Sequence, residues 1–485
     1  MLYHSTRNCD ATVTSAQAVL SGLSPDGGLF VPQALPVIDV TECLKKDVYG
    51  MAETIISAML PELPNMGELV KKAYVGKFSA PDLTPTVSVG DFSVLELYHG
   101  PTSAFKDVAL CMLPQLLTCA KTVKGMEEDI MIITATSGDT GKAALEGFAN
   151  VEGVKICVFY PDGGVSKVQR AQMVTQEGNN VAVCGVVGNF DDAQTGVKNI
   201  FAQAVDGRLP GGNKCRLSTA NSINIGRLAP QIVYYFKAYS DLMKQGKIKF
   251  GEEVNFCVPT GNFGNILAGF LAKQLGLPVG KLVCASNENN VLTDFINTGV
   301  YDRRRPLHKT LSPSMDILVS SNLERLLYFV SKDTGYVKSC MESLNKDGIY
   351  TVSDAVKQAV QTEFYAGFCG DEKAQKAICR VWENHHYLCD THTATAWAVA
   401  EDYVAATGDR RPMVVLSTAS AYKFPAAVLA SLDHIDETND FRLLEMLHEK
   451  TGVAIPKNLT GLEQKAELHT DVIEKADMLT FVMER

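Results

Sequence analysis

Residues 254–276 read VNFCVPTGNFGNILAGFLAKQLG, and the order of their three parts sets the architecture. VNFCVP is a short apolar run rich in β-branched and aromatic residues, which predicts a strand. TGNFGN supplies small and amide residues suited to a tight turn, and ILAGFLAKQLG has the length and apolar content of a buried helix. The same succession recurs along the chain. IMIITA (130–135) ends at a glycine-containing turn, KICVFY (155–160) at PDGG and VAVCGVV (181–187) at GN. SVLELY (93–98), KLVCAS (281–286) and MVVLS (413–417) read as further strands. Strands alternating with helices imply an α/β architecture with largely parallel sheets. In open sheets of this kind ligands sit beyond the carboxyl ends of the strands, so the loops after these runs are where chemistry is expected.

The flanking regions differ. Residues 1 to about 90 carry turn signals in SPDGGLFVP (24–32) but no repeated strand–helix unit, which predicts an N-terminal cap. The last fifty residues read as mainly helical and charged. With 485 residues, 46% of them hydrophobic, the chain can bury a large core. A net charge of -10 disfavours capture of nucleic acid or an anionic membrane surface. The start MLYHSTRNCDATVTS lacks the basic and apolar regions of a secretory signal, and no stretch offers about 20 apolar residues to span a bilayer. The expectation is a soluble cytoplasmic protein whose 13 cysteines are reduced and mostly buried. No metal is expected: the neighbourhood of His385, His386 and His392 reads as helix rather than as a ligand set.

Five loops carry candidate chemistry. HGPTSAFKD (99–107) places Lys106 after a Gly-Pro turn and the apolar pair Ala104–Phe105, where desolvation would favour the neutral amine that forms a Schiff base; the plainer reading is a surface lysine opening a helix. TGNFGN (260–265) would let successive backbone N–H groups converge on a phosphate at a helix N-terminus. TSGDTG (136–141) offers hydroxyls and amides at a second helix start, able to hold a carboxylate or phosphate or simply to cap the helix. NSINIGR (221–227) spaces Asn221, Asn224 and Arg227 by three, on one side of a helix; an Arg beside amide and hydroxyl groups suits a phosphate monoester, or it pairs with a surface carboxylate. STASAYKF (417–424) is a polar turn after a strand.

Taken together these strings resemble the threonine synthases of the longer, microbial and fungal kind, and the resemblance runs from residue 3 to about 430. It implies pyridoxal-phosphate fold type II (tryptophan synthase β-like), with two open parallel-sheet α/β domains and an N-terminal cap domain. The implied division is a cap at 1–92, a large cofactor-binding domain at 93–120 and 221–432, a small mobile domain at 121–220 and a helical C-terminal segment at 433–485. The implied cofactor is pyridoxal 5'-phosphate, bound covalently by Lys106 beside Phe105. Gly261, Asn262, Phe263, Gly264 and Asn265 would cradle its phosphate, Thr418 would face the ring nitrogen, and Asp139 would line the 3-hydroxyl. Thr136, Ser137, Gly138 and Thr140, with Asn221, Ser222, Asn224 and Arg227, would hold the substrate.

The implied activity is conversion of O-phosphohomoserine and water to threonine and phosphate, by a monomer or homodimer. A related lyase releasing 2-oxobutyrate and ammonia, and a non-catalytic pyridoxal-phosphate-binding protein, are the alternatives. The chain departs from the family's strings at Val108 and Ala109, and at Ser420, Ala421 and Tyr422. Gln169 and Gln172, in VSKVQRAQM (165–173), are given structural roles.

Overall fold

The apolar runs form two parallel-stranded layers in the computed structural model, which describes residues 1–204, 207–210 and 215–485. The larger sheet has six strands in the order Phe364–Phe368, Val279–Ser286, Val254–Pro259, Met413–Ser417, Phe92–Glu96 and Thr86–Val89. All neighbours are parallel except the last pair. Val254–Pro259 is buried along its whole length, as a strand covered on both faces must be.

Period-two alternation divides the side chains of this sheet between two cores. Phe256, Val258, Leu282, Val414 and Leu416 face the core that holds the helices Lys106–Val123, Ile225–Lys244 and Gly264–Gln274. Cys257, Val283 and Val415 face the core built on the helix Thr391–Thr407.

The smaller sheet runs Val472–Ile473, Val181–Val186, Val154–Pro161, Ile130–Ala135 and Arg216–Ser218, all parallel. Its first strand comes from the end of the chain. The segment 433–485, expected to be helical, holds the α-helices Asp440–Thr451 and Met478–Met483, two 3-10 turns and this strand, joined by irregular stretches. A charged stretch can lie extended when a parallel edge strand offers it backbone partners, and the edge at Gly185 and Val186 does so. The N-terminal region forms a three-stranded antiparallel sheet of Asn8–Thr14, Leu2–Ser5 and Phe30–Pro32. Thr86–Val89 pairs with Phe92–Glu96, so the expected boundary at residue 92 falls inside one sheet. Among the described residues no helix is long and apolar enough to cross a membrane.

Candidate active site

Lys106 is the first residue of the helix Lys106–Val123 and is nearly covered by its surroundings. The loop before it is tied to the loop after Met413–Ser417: Phe105 donates its N–H to the Thr418 carbonyl (2.8 Å), and Ser420 donates to Ser103 (3.1 Å). This short antiparallel pairing, centred on Ala104 and Ala419, places Thr418 beside the lysine. No hydrogen bond to the Thr418 hydroxyl is found among the described residues, which leaves it able to serve a ligand. The Phe105 ring centroid lies 4.9 Å from Lys106 Nζ. Burial lowers the pKa of this amine against the opposing pull of Asp139, and the charges of Lys423 and Arg227 lower it further.

Asp139 opens the helix Asp139–Phe148, and its carboxylate is the electrostatic centre of the site. Oδ1 accepts from Lys423 Nζ at 2.7 Å and Gln169 Nε2 at 3.1 Å, while Oδ2 lies 3.5 Å from Lys106 Nζ. Burial alone would raise its pKa, but the two ammonium groups hold it well below the usual carboxylate range. The loop is shaped for this: Gly138 has φ +136, and a Cβ there would stand 2.5 Å from the Gln169 amide.

Thr136 serves the loop itself, because its Oγ1 accepts the N–H groups of Gly138 and Gly141. Ser137 is exposed and Thr140 half-buried, and neither hydroxyl has a partner among the described residues. The TSGDTG string therefore divides into one hydroxyl that caps its own loop and two without a partner among the described residues.

The TGNFGN loop follows Val254–Pro259, with Phe263 in the left-handed region at φ +61. Among the described residues no partner is found for the N–H groups of residues 261–265, which lie at the start of a helix where intrahelical acceptors are missing. Gly261 is pressed against the next loop: a Cβ would meet the Ser314 carbonyl at 2.7 Å. Asn265 Oδ1 accepts from the Tyr234 and Tyr235 hydroxyls at 2.7 and 2.9 Å, while its buried Nδ2 has no partner among the described residues. Ser320, Ser321 and Asn322 buttress the loop from outside by bonding to Gly261 and Asn262. Asn322 also donates to the Ser222 carbonyl, joining this loop to the NSINIGR segment.

NSINIGR differs from its expected form. The helix begins only at Ile225, and Asn224 is its N-cap. Its Oδ1 accepts from Gly226 N–H and its Nδ2 donates to the carbonyls of Val19 and Thr219, so its side chain has nothing left for a phosphate. Asn221 lies in the preceding turn, off the helix face, where its Oδ1 accepts from Thr134. Ser222 is half-buried, 3.5 Å from the Ser321 hydroxyl. Arg227 is buried, donates one hydrogen bond to the Ala220 carbonyl and leaves Nε without a partner. No carboxylate pairs with it among the described residues, and burial lowers its pKa to about 10. A buried guanidinium without an acidic partner is costly to hold, which makes Arg227 a candidate for an anionic ligand.

Residues 79–419 match the family model for pyridoxal-phosphate dependent enzymes, residues 2–74 that for the threonine synthase N terminus, and residues 393–481 that for the threonine synthase C-terminal region. Threonine synthase of Saccharomyces cerevisiae is 34% identical, over 98% of this chain and 96% of its own. The chain belongs to the threonine synthase family. The crystal structure of pyridoxal-phosphate-bound threonine synthase from Brucella melitensis superposes with a TM-score of 0.87 at 34% identity, covering 100% of this chain and 99% of that one. Human threonine synthase-like 1 is 38% identical over 90% of this chain, which spans 61% of that longer protein.

The residues fit the cofactor of the pyridoxal-phosphate enzymes. The chain provides a buried amine, a run of N–H groups at 261–265 and a hydroxyl at Thr418, the last two without partners among the described residues, with Phe263 left-handed within the run. Lys423, Gln169 and His392 also belong to the site, although sequence reasoning gave none of them a role there. Lys423 lies inside the quoted string STASAYKF, but only its full burial marks it. Gln169, read as structural, reaches Asp139 because its helix packs on Gly138. His392 Nδ1 lies 2.7 Å from Asp390, and Nε2 accepts the Ser314 N–H at 3.2 Å; Ser314 Oγ is in turn 3.4 Å from Lys106 Nζ.

Thr418→Val should retain bound cofactor, because the backbone bond from Phe105 to residue 418 is kept. Its absorbance should shift and turnover should fall roughly two- to tenfold, the worth of one hydrogen bond. An unchanged spectrum and rate would transfer the role to another group, such as Ser417.

Proposed function

We propose that this chain is a threonine synthase, converting O-phosphohomoserine and water to threonine and phosphate. The observation that carries the reading is Arg227, a buried cation with no acidic partner among the described residues, close enough to Lys106 to depress its proton affinity and carried on a different element from the TGNFGN loop. Two anion sites flanking one lysine suit a phosphorylated substrate beside a phosphorylated cofactor.

In this reading Lys106, with residues 261–265 and Thr418, holds pyridoxal phosphate. When bound, that group supplies the electron sink that makes protons near the substrate nitrogen labile. Ser137, Thr140 and the amides of their loop grip the substrate carboxylate. Lys106, its proton affinity lowered by burial, takes the α-proton and moves the β-proton. Arg227, with Asn221 and Ser222, draws the phosphate from the γ-carbon and retains it, so that it can accept a proton from the water adding at the β-carbon. Asp139 and Gln169 lie on the 121–220 portion, whereas Lys106, Lys423 and Arg227 lie outside it. Closure of that small domain over the ligand would shut out bulk water until the addition step.

The test is the product. Incubation with O-phosphohomoserine in isotopically labelled water should release phosphate and give threonine labelled in its β-hydroxyl. Stoichiometric 2-oxobutyrate and ammonia, with no labelled threonine, would show that the protein is the lyase.

A further inference from the structure

We infer that Lys423 is the resident counter-ion of Asp139, and through it a positioning residue for Lys106. The inference rests on the reading of Lys106 as the cofactor lysine. Lys423 follows the strand Met413–Ser417 and its side chain is wholly enclosed. Its ammonium has two partners, Asp139 Oδ1 at 2.7 Å and the Thr102 carbonyl at 3.2 Å. The two lysines thus divide the carboxylate unequally. Oδ1 belongs to Lys423 and Gln169, whereas Oδ2 stands 3.5 Å from Lys106, a loose contact for an ion pair.

The asymmetry has a chemical use. A lysine that must act as nucleophile and base has to be neutral, and an ionised carboxylate with no other cation would hold it as ammonium. With Lys423 in place, Asp139 stays ionised and hydrogen-bonded whatever the state of Lys106, and the fixed positive charge of Lys423 repels a proton on Lys106. Lys142, on the helix that Asp139 opens and paired to Glu146 at 2.9 Å, senses the charge of Lys423. The other charged or titratable groups facing this cluster are Arg227, whose charge also repels that proton, His392 beside Asp139, and Asp107, which is bonded to Thr102. Burial pushes the Asp107 carboxyl up to about 6. None of these three is hydrogen-bonded to Asp139, so Lys423 is its closest full charge.

The test uses the full-length chain stripped of cofactor, with the rate of pyridoxal-phosphate recapture followed by absorbance across pH. Recapture requires the neutral amine, so the midpoint of the profile reports Lys106, and borohydride fixation with peptide mapping verifies the residue. K423M removes the repelling charge and frees Asp139 to hold the Lys106 proton, so its midpoint should rise by about one pH unit or more. D139N leaves Lys423 uncompensated and should move the midpoint down. K423R keeps the charge and should remain near the wild-type profile.

Should K423M not fold, D139N and the double variant K423M/D139N carry the test, and the double variant should return from the D139N value toward wild type. Label on Lys106 with unmoved midpoints, or midpoints of K423M and D139N moving the same way, would overturn the counter-ion role alone. Label on another lysine would overturn the cofactor-lysine assignment itself, and the inference with it.

Discussion

Lys106→Ala should eliminate borohydride-fixable cofactor and lower turnover by at least about 10²–10⁴-fold, because it removes both the covalent anchor and the proton-transfer base. The chain should nonetheless stay folded. Asp139 keeps Lys423 at 2.7 Å and Gln169 at 3.1 Å when Lys106 is gone, so no buried carboxylate is orphaned. The helix that Lys106 opens is held by Leu110, Met112, Leu113 and Leu116 in the main core and does not depend on the lysine. Turnover with O-phosphohomoserine, absorbance and thermal melting would be measured together. Undiminished turnover would refute the assignment, and a collapsed melting temperature would show Lys106 to be structural.

Arg227→Leu should separate two kinds of ligand. A charge-assisted contact to a phosphate contributes about 1.5–3 kcal/mol, so kcat/KM for O-phosphohomoserine should fall roughly tenfold to more than a hundredfold. Affinity for an unphosphorylated amino acid should change little. Thermal stability should hold or rise, because among the described residues the buried guanidinium has no acidic partner and a single hydrogen bond, to the Ala220 carbonyl. Equal losses for phosphorylated and unphosphorylated ligands, together with a lower melting temperature, would make Arg227 a structural residue.

The positions of the main loops were legible because they depend on local order. An apolar run followed by small residues and a helical run can fold as strand, turn and helix in few other ways, and the runs at 130–135, 254–259 and 413–417 are strands with those bounds. The spacing argument for Asn221, Asn224 and Arg227 was weaker. It assumed that the helix began before Asn221, whereas capping by Asn224 starts it at Ile225. N-cap and ligand roles draw on the same amide, and only the positions of Val19 and Thr219 decide between them.

What the sequence determined by itself was the succession of strand, loop and helix, while the strings it shares with its family single out Lys106 as the expected cofactor lysine. These are properties of neighbours along the chain. The tertiary structure alone decided which charges meet. Lys106 and Asp139 are 33 residues apart, Lys423 lies far beyond both, and nothing local brings an ammonium from the end of one sheet to a carboxylate at the end of another. The protonation balance of the site follows from burial and from distances of a few ångströms between remote residues, because electrostatic coupling depends on separation in space and on the exclusion of water.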